Sequence, residues 1–441
     1  MLIAPILHPL HASVRVPGSK SLTNRALLIA ALAEGTTTLE NALFSDDSRY
    51  FASALQTLGF DVGLDPKNAR MTVTGLGGRI PAKRAELFIG NAGTAARFLT
   101  AFLTLGNGEY TLDGEPRMRE RPIGDLVDAL TQLGANVEAV SGQQSAICPP
   151  VKIIASELPG GKTQIAGSIS SQFLSALLMV APYAQTPVEI EVINELNSKP
   201  YVDMTLSIMR DFGVDVQRDG YKSFLIPLTN YESRITYTVE SDASAASYFF
   251  AAPAICGGTV KVENISRKSV QGDIAFLNVL EKMGCTVKES DKSISVSRKS
   301  ELHGLDIDMR DISDMAQSLA AVAPFASTPT RIRGIASARI KETDRVAAAC
   351  TELSRLGVKV DEHEDGMTIY PCDSFCPATI QTYNDHRMAM AFSLIGLRIP
   401  GITVENPGCV SKTFPDFFEV LETLHHMDST FYHPWKGPDV G

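Results

Sequence analysis

Leu55-Gln56-Thr57-Leu58-Gly59-Phe60-Asp61-Val62 is the stretch that decides the fold, because its pattern returns along the whole chain. An apolar residue, two mostly polar ones, another apolar residue and then Gly recur at 130–134, 209–213, 280–284 and 353–357. Leu421-Glu422-Thr423-Leu424-His425 is a degraded sixth copy. Each of the five complete copies runs on into a short strand-like segment, as in Cys285-Thr286-Val287 or Val358-Lys359-Val360. An amphipathic helix ending on a Gly in the left-handed C′ conformation, followed by a strand, has this pattern. Pro122, Pro200 and Pro415 fall where such helices would begin, which suits the fixed φ of Pro. One such unit is commonplace; five spaced about 70 to 80 residues apart are an internal repeat.

A second pattern runs in phase with the first. Polar clusters open at positions 19, 90, 167, 240, 313 and 384, and each leads into a segment of small and apolar residues. A helix apolar on every side is buried, and its first N–H groups need partners and attract anions. The 441 residues therefore divide into six units, each with one buried and one amphipathic helix and several short strands. Six units exceed a single hydrophobic core, so three plus three is the expected division, with the second half starting near residue 241.

Hydrophobic residues make up 44% and charged residues 20% of the chain, which excludes a disordered or fibrous protein. Lys and Arg total 40 against 50 Asp and Glu, a net charge of −10. That argues against nucleic-acid and membrane-surface binding, but leaves room for a small anion held by a local cluster of cations. No apolar run reaches the roughly 18 residues of a membrane span. The start, Met1-Leu2-Ile3-Ala4-Pro5, lacks the basic region of a secretory signal, so a cytoplasmic location is expected. Seven widely spaced cysteines suit a reducing compartment. Cys372 and Cys376 have no second Cys or His pair at zinc-site spacing, so no metal is expected.

Candidate sites gather at the helix starts. Gly18-Ser19-Lys20-Ser21 lacks the first Gly of a phosphate loop, which rejects a nucleotide triphosphatase. Gly75-Leu76-Gly77-Gly78 is followed by Arg79-Ile80-Pro81 rather than a helix, which rejects a dinucleotide fold. Ser19 reads as a helix cap, yet Lys20 in the first turn opposes the helix dipole unless an anion sits there. Arg387, after Asn384-Asp385-His386, poses the same question, with Asn384 or Asp385 as the cap. Lys341 and Arg345 stand four apart, so like charges would share one helical face unless an anion lies between them. Glu342 lies one residue off that face and suits acid or base work. Asp314, after Ser313 at a buried helix start, reads as a second cap. Gly90-Asn91-Ala92-Gly93-Thr94 lets a ligand approach the backbone. Ser170-Ser171-Gln172 supplies hydroxyls and an amide at the equivalent place in the next unit. Arg117 and Arg119 read as a basic loop ahead of Arg121.

These motifs carry a family resemblance. The segments 90–97, Arg121-Pro122-Ile123-Gly124, 170–174, Lys199-Pro200-Tyr201, 341–345, 384–390 and Lys412-Thr413-Phe414-Pro415-Asp416 resemble the 5-enolpyruvylshikimate-3-phosphate synthases, bacterial members included. The likeness runs from Ser13 to about Phe418 and leaves out the tail, 427–441. It implies an α/β (α+β) fold: a two-domain inside-out αβ barrel, each domain three βαβαββ repeats with buried helices. The domains would be 19–241, and 1–18 with 242–441, with the active site in the cleft between them. The implied reaction transfers the enolpyruvyl group of phosphoenolpyruvate to the 5-hydroxyl of shikimate 3-phosphate and releases phosphate, without cofactor or metal. By resemblance, Lys20, Ser21, Arg25, Ser170, Ser171, Gln172, Ser198, Tyr201, Asp314, Ser337 and Lys341 would contact shikimate 3-phosphate. Ser337 stands where many bacterial members carry Asn. Lys20, Asn91, Gly93, Arg121, Gln172, Arg345, Arg387 and Lys412 would hold phosphoenolpyruvate. Asp314, Glu342 and Lys20 would be catalytic. Glyphosate would inhibit, and a monomer is expected. The sister transferase acting on UDP-N-acetylglucosamine usually needs a cysteine before the Arg-Pro, and 113–120 has none. A non-catalytic repeat scaffold would explain the periodicity but not Lys341, Arg345, Arg387 and Lys412 at their positions.

Overall fold

The computed structural model describes residues 1–141 and 146–426. The tail, 427–441, which the domain expectation assigned to the second half, lies outside the described residues. The chain forms two compact units. One is Gly18–Glu240; the other joins Met1–Pro17 to the described residues from Ser241 onward. Leu10–Val14 accounts for the second assignment, because it pairs in parallel with Gly258–Val262. Thr236–Thr238 likewise returns to pair with Glu34–Glu40 inside the first unit. The fold is mixed α/β in both.

Among the described residues there are five four-stranded sheets and one two-stranded sheet. Each four-stranded sheet joins one parallel pair to two further strands added antiparallel. Arg84–Phe88 runs parallel to Asn107–Asp113, for example, and Ile147–Ser156 and Asn136–Ser141 complete that sheet. Leu10–Val14, Gly258–Val262, Ser293–Arg298 and Thr286–Ser290 follow the same order in the other unit. The two-stranded sheet pairs Thr379–Ile380 with Thr403–Val404.

The repeated glycines do what the pattern requires. Helix Asp46–Thr57 ends at Leu58, and Gly59 follows at φ +93°. Gly134, Gly213, Gly284 and Gly357 follow their helices at φ between +81° and +109°. A side chain at that φ is strained, so Gly ends the helix and turns the chain into the next strand. Pro200 stands in the first turn of helix Lys199–Asp211. Pro122 and Pro415 instead precede the cap residues Ile123 and Asp416, so they direct the approach to a helix rather than start it.

Among the described residues, six helices fill the cores. In the first unit these are Lys20–Leu32, Gly93–Leu103 and Ser171–Val180. In the second they are Ala243–Cys256, Ala316–Val322 and His386–Gly396. Every residue of Gly93–Leu103 is buried, including Phe98 and Phe102. Each such ring contributes about 1.5–3 kcal/mol by leaving water. Past the first turn these helices are almost wholly buried, so the polar residues that stay partly exposed, Lys20, Ser21, Gln172 and Ser244, lie at the helix starts. That places the polar clusters at the edges of the cores.

Candidate active site

The first unit carries one constellation. Ser19 caps helix Lys20–Leu32, its hydroxyl accepting from the Leu22 N–H. Lys20 Nζ lies 3.5 Å from Oδ2 of Asp47, a buried carboxylate in the first turn of helix Asp46–Thr57. A neighbouring helix thus supplies negative charge at the end where Lys20 is otherwise unfavourable. Arg25 is fully enclosed. Its guanidinium donates to Thr205 Oγ1 (2.8 Å), the Ser21 carbonyl (3.0 Å), Ser175 Oγ (3.2 Å) and the Tyr201 carbonyl (3.2 Å). Burial pushes its pKa down to about 10, against the opposing influence of Tyr201 and Tyr237. Arg25 therefore ties together the helices that present Ser21, Ser171 and Tyr201. Ser170 caps Ser171–Val180 by accepting from the Gln172 N–H. Ser198, at φ +56°, turns the chain into helix Lys199–Asp211.

Arg121 belongs to the same unit and is buried. Its Nη1 donates to the carbonyl of Asn91 (3.0 Å) and to Asn91 Oδ1 (3.1 Å). A Cβ built on Gly93 would lie 2.4 Å from Arg121 Nη2 and 2.8 Å from Cζ. Gly93 is therefore the space the guanidinium occupies. Arg117 and Arg119, by contrast, pair at the surface with Glu120 and Asp113.

The second unit holds a network of charges around Arg345. Arg345 Nη1 donates to Asp314 Oδ1 (3.0 Å), Nη2 to Glu342 Oε2 (2.7 Å), and Nε to Asp385 Oδ2 (2.7 Å). Burial acts to lower the Arg345 pKa, but Asp385, Glu342 and Asp314 outweigh it and hold the guanidinium above its ordinary range. Arg387 Nη2 donates to the other oxygen of Asp314 at 2.8 Å. Lys412 Nζ lies 3.8 Å from Glu342 Oε1. Asp314, Glu342, Arg345, Arg387 and Lys412 thus form one cluster. Ser337 stands in the turn Ala336–Ile340 and Lys341 directly follows it.

Two expectations change. Lys341 and Arg345 do not share a helical face, because Asp344 caps helix Arg345–Arg355 and leaves Lys341 outside it. Asp314 is not a cap either: it lies in the 3₁₀ segment Arg310–Met315, and helix Ala316–Val322 starts without a side-chain cap. Its carboxylate is turned to the two arginines instead.

Sequence reasoning took Asp385 only as a possible cap and passed over Glu352. Asp385 does cap His386–Gly396, accepting from the Arg387 N–H, while also gripping Arg345. Glu352 is fully buried and accepts from the Gln381 N–H (3.0 Å) and the Tyr383 hydroxyl (2.8 Å). Tyr383 and Asn384 are consecutive left-handed residues, at φ +55° and +53°, just before Asp385. Glu352 therefore clamps the strained turn that delivers Asp385 and Arg387. The signal was a carboxylate on the same face as Ala348 and Ala349. Glu352→Ala is expected to cost about 1–3 kcal/mol, because the partly buried Gln381 N–H loses its acceptor. Glu352→Gln, which keeps an acceptor, should cost less, as urea unfolding will show.

His386 is enclosed beside this network. Burial holds its pKa well below 6.5; Glu342 opposes that, and Arg387, Arg345 and Lys412 reinforce it. The folded protein keeps this imidazole neutral, so its contribution to stability is complete above about pH 6.5 and is lost as pH falls below it. The expected slope approaches 1.4 kcal/mol per pH unit for one proton. His386→Gln should lose less stability than the unaltered chain between about pH 6.5 and 5.

Among the described residues, no helix is long and apolar enough to cross a membrane. A two-unit α/β fold whose helix starts gather arginines, lysines and carboxylates marks an enzyme for small anions. Residues 6–421 match the family EPSP synthase (3-phosphoshikimate 1-carboxyvinyltransferase). A 3-phosphoshikimate 1-carboxyvinyltransferase of Trichormus variabilis is 53% identical, covering 94% of this chain and 97% of its own. One from Shewanella denitrificans is 52% identical, covering 93% and 96%. A solved EPSP synthase from Acinetobacter baumannii superposes with TM-score 0.79 at 27% identity, covering 96% and 97%. The chain belongs to the EPSP synthase family and is a transferase of aromatic amino acid biosynthesis.

Proposed function

We propose that the two constellations serve one reaction, the transfer of the enolpyruvyl group of phosphoenolpyruvate to the 5-hydroxyl of shikimate 3-phosphate. Lys20, Ser21, Arg25, Ser170, Ser171, Gln172, Ser198, Tyr201, Asp314, Ser337 and Lys341 hold shikimate 3-phosphate. Lys20, Asn91, Gly93, Arg121, Gln172, Arg345, Arg387 and Lys412 hold phosphoenolpyruvate. Asp314 takes the proton of the 5-hydroxyl as its oxygen bonds to C2 of phosphoenolpyruvate, and the methylene carbon gains a proton. Glu342 takes part in that proton transfer. The C2–O bond to phosphate then breaks, the methyl group returns a proton, and phosphate leaves.

The observation that carries this proposal is the pair of carboxylates, Asp314 and Glu342, on one guanidinium. Arg345 holds them at 3.0 and 2.7 Å, while Arg387 takes the second oxygen of Asp314. Acid–base groups thus sit among the cations that an anionic substrate needs. In finer detail, the same proposal takes each unit as three βαβαββ repeats in an inside-out barrel. The chain would act as a monomer in the cytoplasm, with glyphosate as an inhibitor. Phosphate release from phosphoenolpyruvate should require shikimate 3-phosphate. Release with UDP-N-acetylglucosamine instead would assign the sister reaction, and release with neither would leave a scaffold.

A further inference from the structure

We propose that Asp273 is a positioning residue that acts through Ser244 to aim Arg387 and set the charge felt by Asp314. This rests on the roles given above to Arg387 and Asp314.

Asp273 lies in the 3₁₀ turn Gly272–Ala275 and is 4% exposed. Its Oδ2 accepts from the hydroxyl of Ser244, in the first turn of helix Ala243–Cys256. Arg387 Nη2 reaches the same hydroxyl oxygen at 3.5 Å and Asp314 Oδ2 at 2.8 Å. Tyr248, one turn on from Ser244, lies 3.5 Å from Arg387 Nη1. A hydroxyl has one hydrogen and two lone pairs. With its hydrogen committed to Asp273, Ser244 presents lone pairs to the guanidinium. Asp273 thus fixes which way the hydroxyl points, and through it the orientation of Arg387 Nη2.

The surroundings make this carboxyl unusual. The charged groups facing it from the packed elements are Asp314, Arg387 and Asp242. Burial is the main cause that pushes its pKa up to about 6, and Asp314 adds to it, while Arg387 and the Ser244 hydroxyl oppose. The group therefore favours the folded state most at low pH, and that contribution fades as pH rises through about 6. Its ionisation near that pH changes the charge beside Arg387 and Asp314.

Asp273→Asn removes the charge and keeps the size. With shikimate 3-phosphate and phosphoenolpyruvate as substrates, the pH dependence of its KM for phosphoenolpyruvate should lose the inflection near pH 6 at which Asp273 ionises in the unaltered enzyme. The KM for phosphoenolpyruvate should rise several-fold, and that for shikimate 3-phosphate should change less. Ser244→Ala breaks the link from the other side: Asp273 loses a bond that favours its charged form, so that inflection should move to higher pH. If Asp273→Asn does not fold, Ser244→Ala carries the test. A profile and a KM ratio coincident with those of the unaltered enzyme, in the variant that folds, would overturn the proposal. An unaltered enzyme that releases no phosphate from these substrates would overturn the underlying assignment instead, so the two failures are distinct.

Discussion

Asp314→Asn is expected to lower kcat by two orders of magnitude or more, the usual scale of acid–base catalysis, while the protein stays folded. An amide keeps the volume and one acceptor oxygen but cannot take a proton. The structure sharpens the expectation. Asp314 does not cap a helix, so no capping energy is at stake. Its oxygens instead accept from Arg345 and Arg387, one each. Asn can serve one of the two arginines with its oxygen and must turn its NH₂ toward the other. Some loss of phosphoenolpyruvate binding should therefore accompany the loss of turnover, with the KM for shikimate 3-phosphate changing less. Glu342→Gln should also reduce kcat. Near-normal turnover in Asp314→Asn would move the base elsewhere, with Glu342 the first place to look.

The sequence carried the parts of this architecture that local rules govern. Gly59, Gly134, Gly213, Gly284 and Gly357 were legible because a helix-ending Gly and the apolar residue before it are neighbours in the chain. The buried helices were legible because a segment apolar on all sides has one comfortable environment. Where a cap decided the geometry, the spacing misled. Asp344 accepts from the Val346 and Ala347 N–H groups and so starts the helix at Arg345, which strands Lys341 outside it. The i,i+4 rule applied to residues that were never on one helix. The carboxylates around Arg345 and Arg387 were harder still. Ser244 and Arg387 are 143 residues apart, and Arg345 and Asp385 are 40 apart. No local pattern announces that such residues meet. Glu352 on an apolar face and Asp273 in a turn look like ordinary surface carboxylates until the fold buries them. What sequence can offer there is an oddity to be explained, a charge among alanines, rather than a partner.

Gly93→Ala is expected to raise the KM for phosphoenolpyruvate by about ten- to a hundredfold, with a much smaller effect on shikimate 3-phosphate. The sequence offers one reason, open space against the backbone. The structure supplies a more specific one. The new Cβ would fall 2.4 Å from Arg121 Nη2, closer than nonbonded atoms tolerate, so the guanidinium must move. Arg121 is a flexible side chain, and the protein can relax by displacing it without unfolding. Displacement breaks its two bonds to Asn91 and takes its charge from the place the substrate needs it. A hydrogen bond to a charged group contributes about 1.5–3 kcal/mol, which corresponds to the stated loss in affinity. The two sites should then be coupled. If Gly93→Ala acts through Arg121, combining it with Arg121→Lys should cost much less than the sum of the single changes. Additive losses would mean that the methyl group meets the substrate directly. Equal losses for both substrates would mean that the helix start itself has been disturbed.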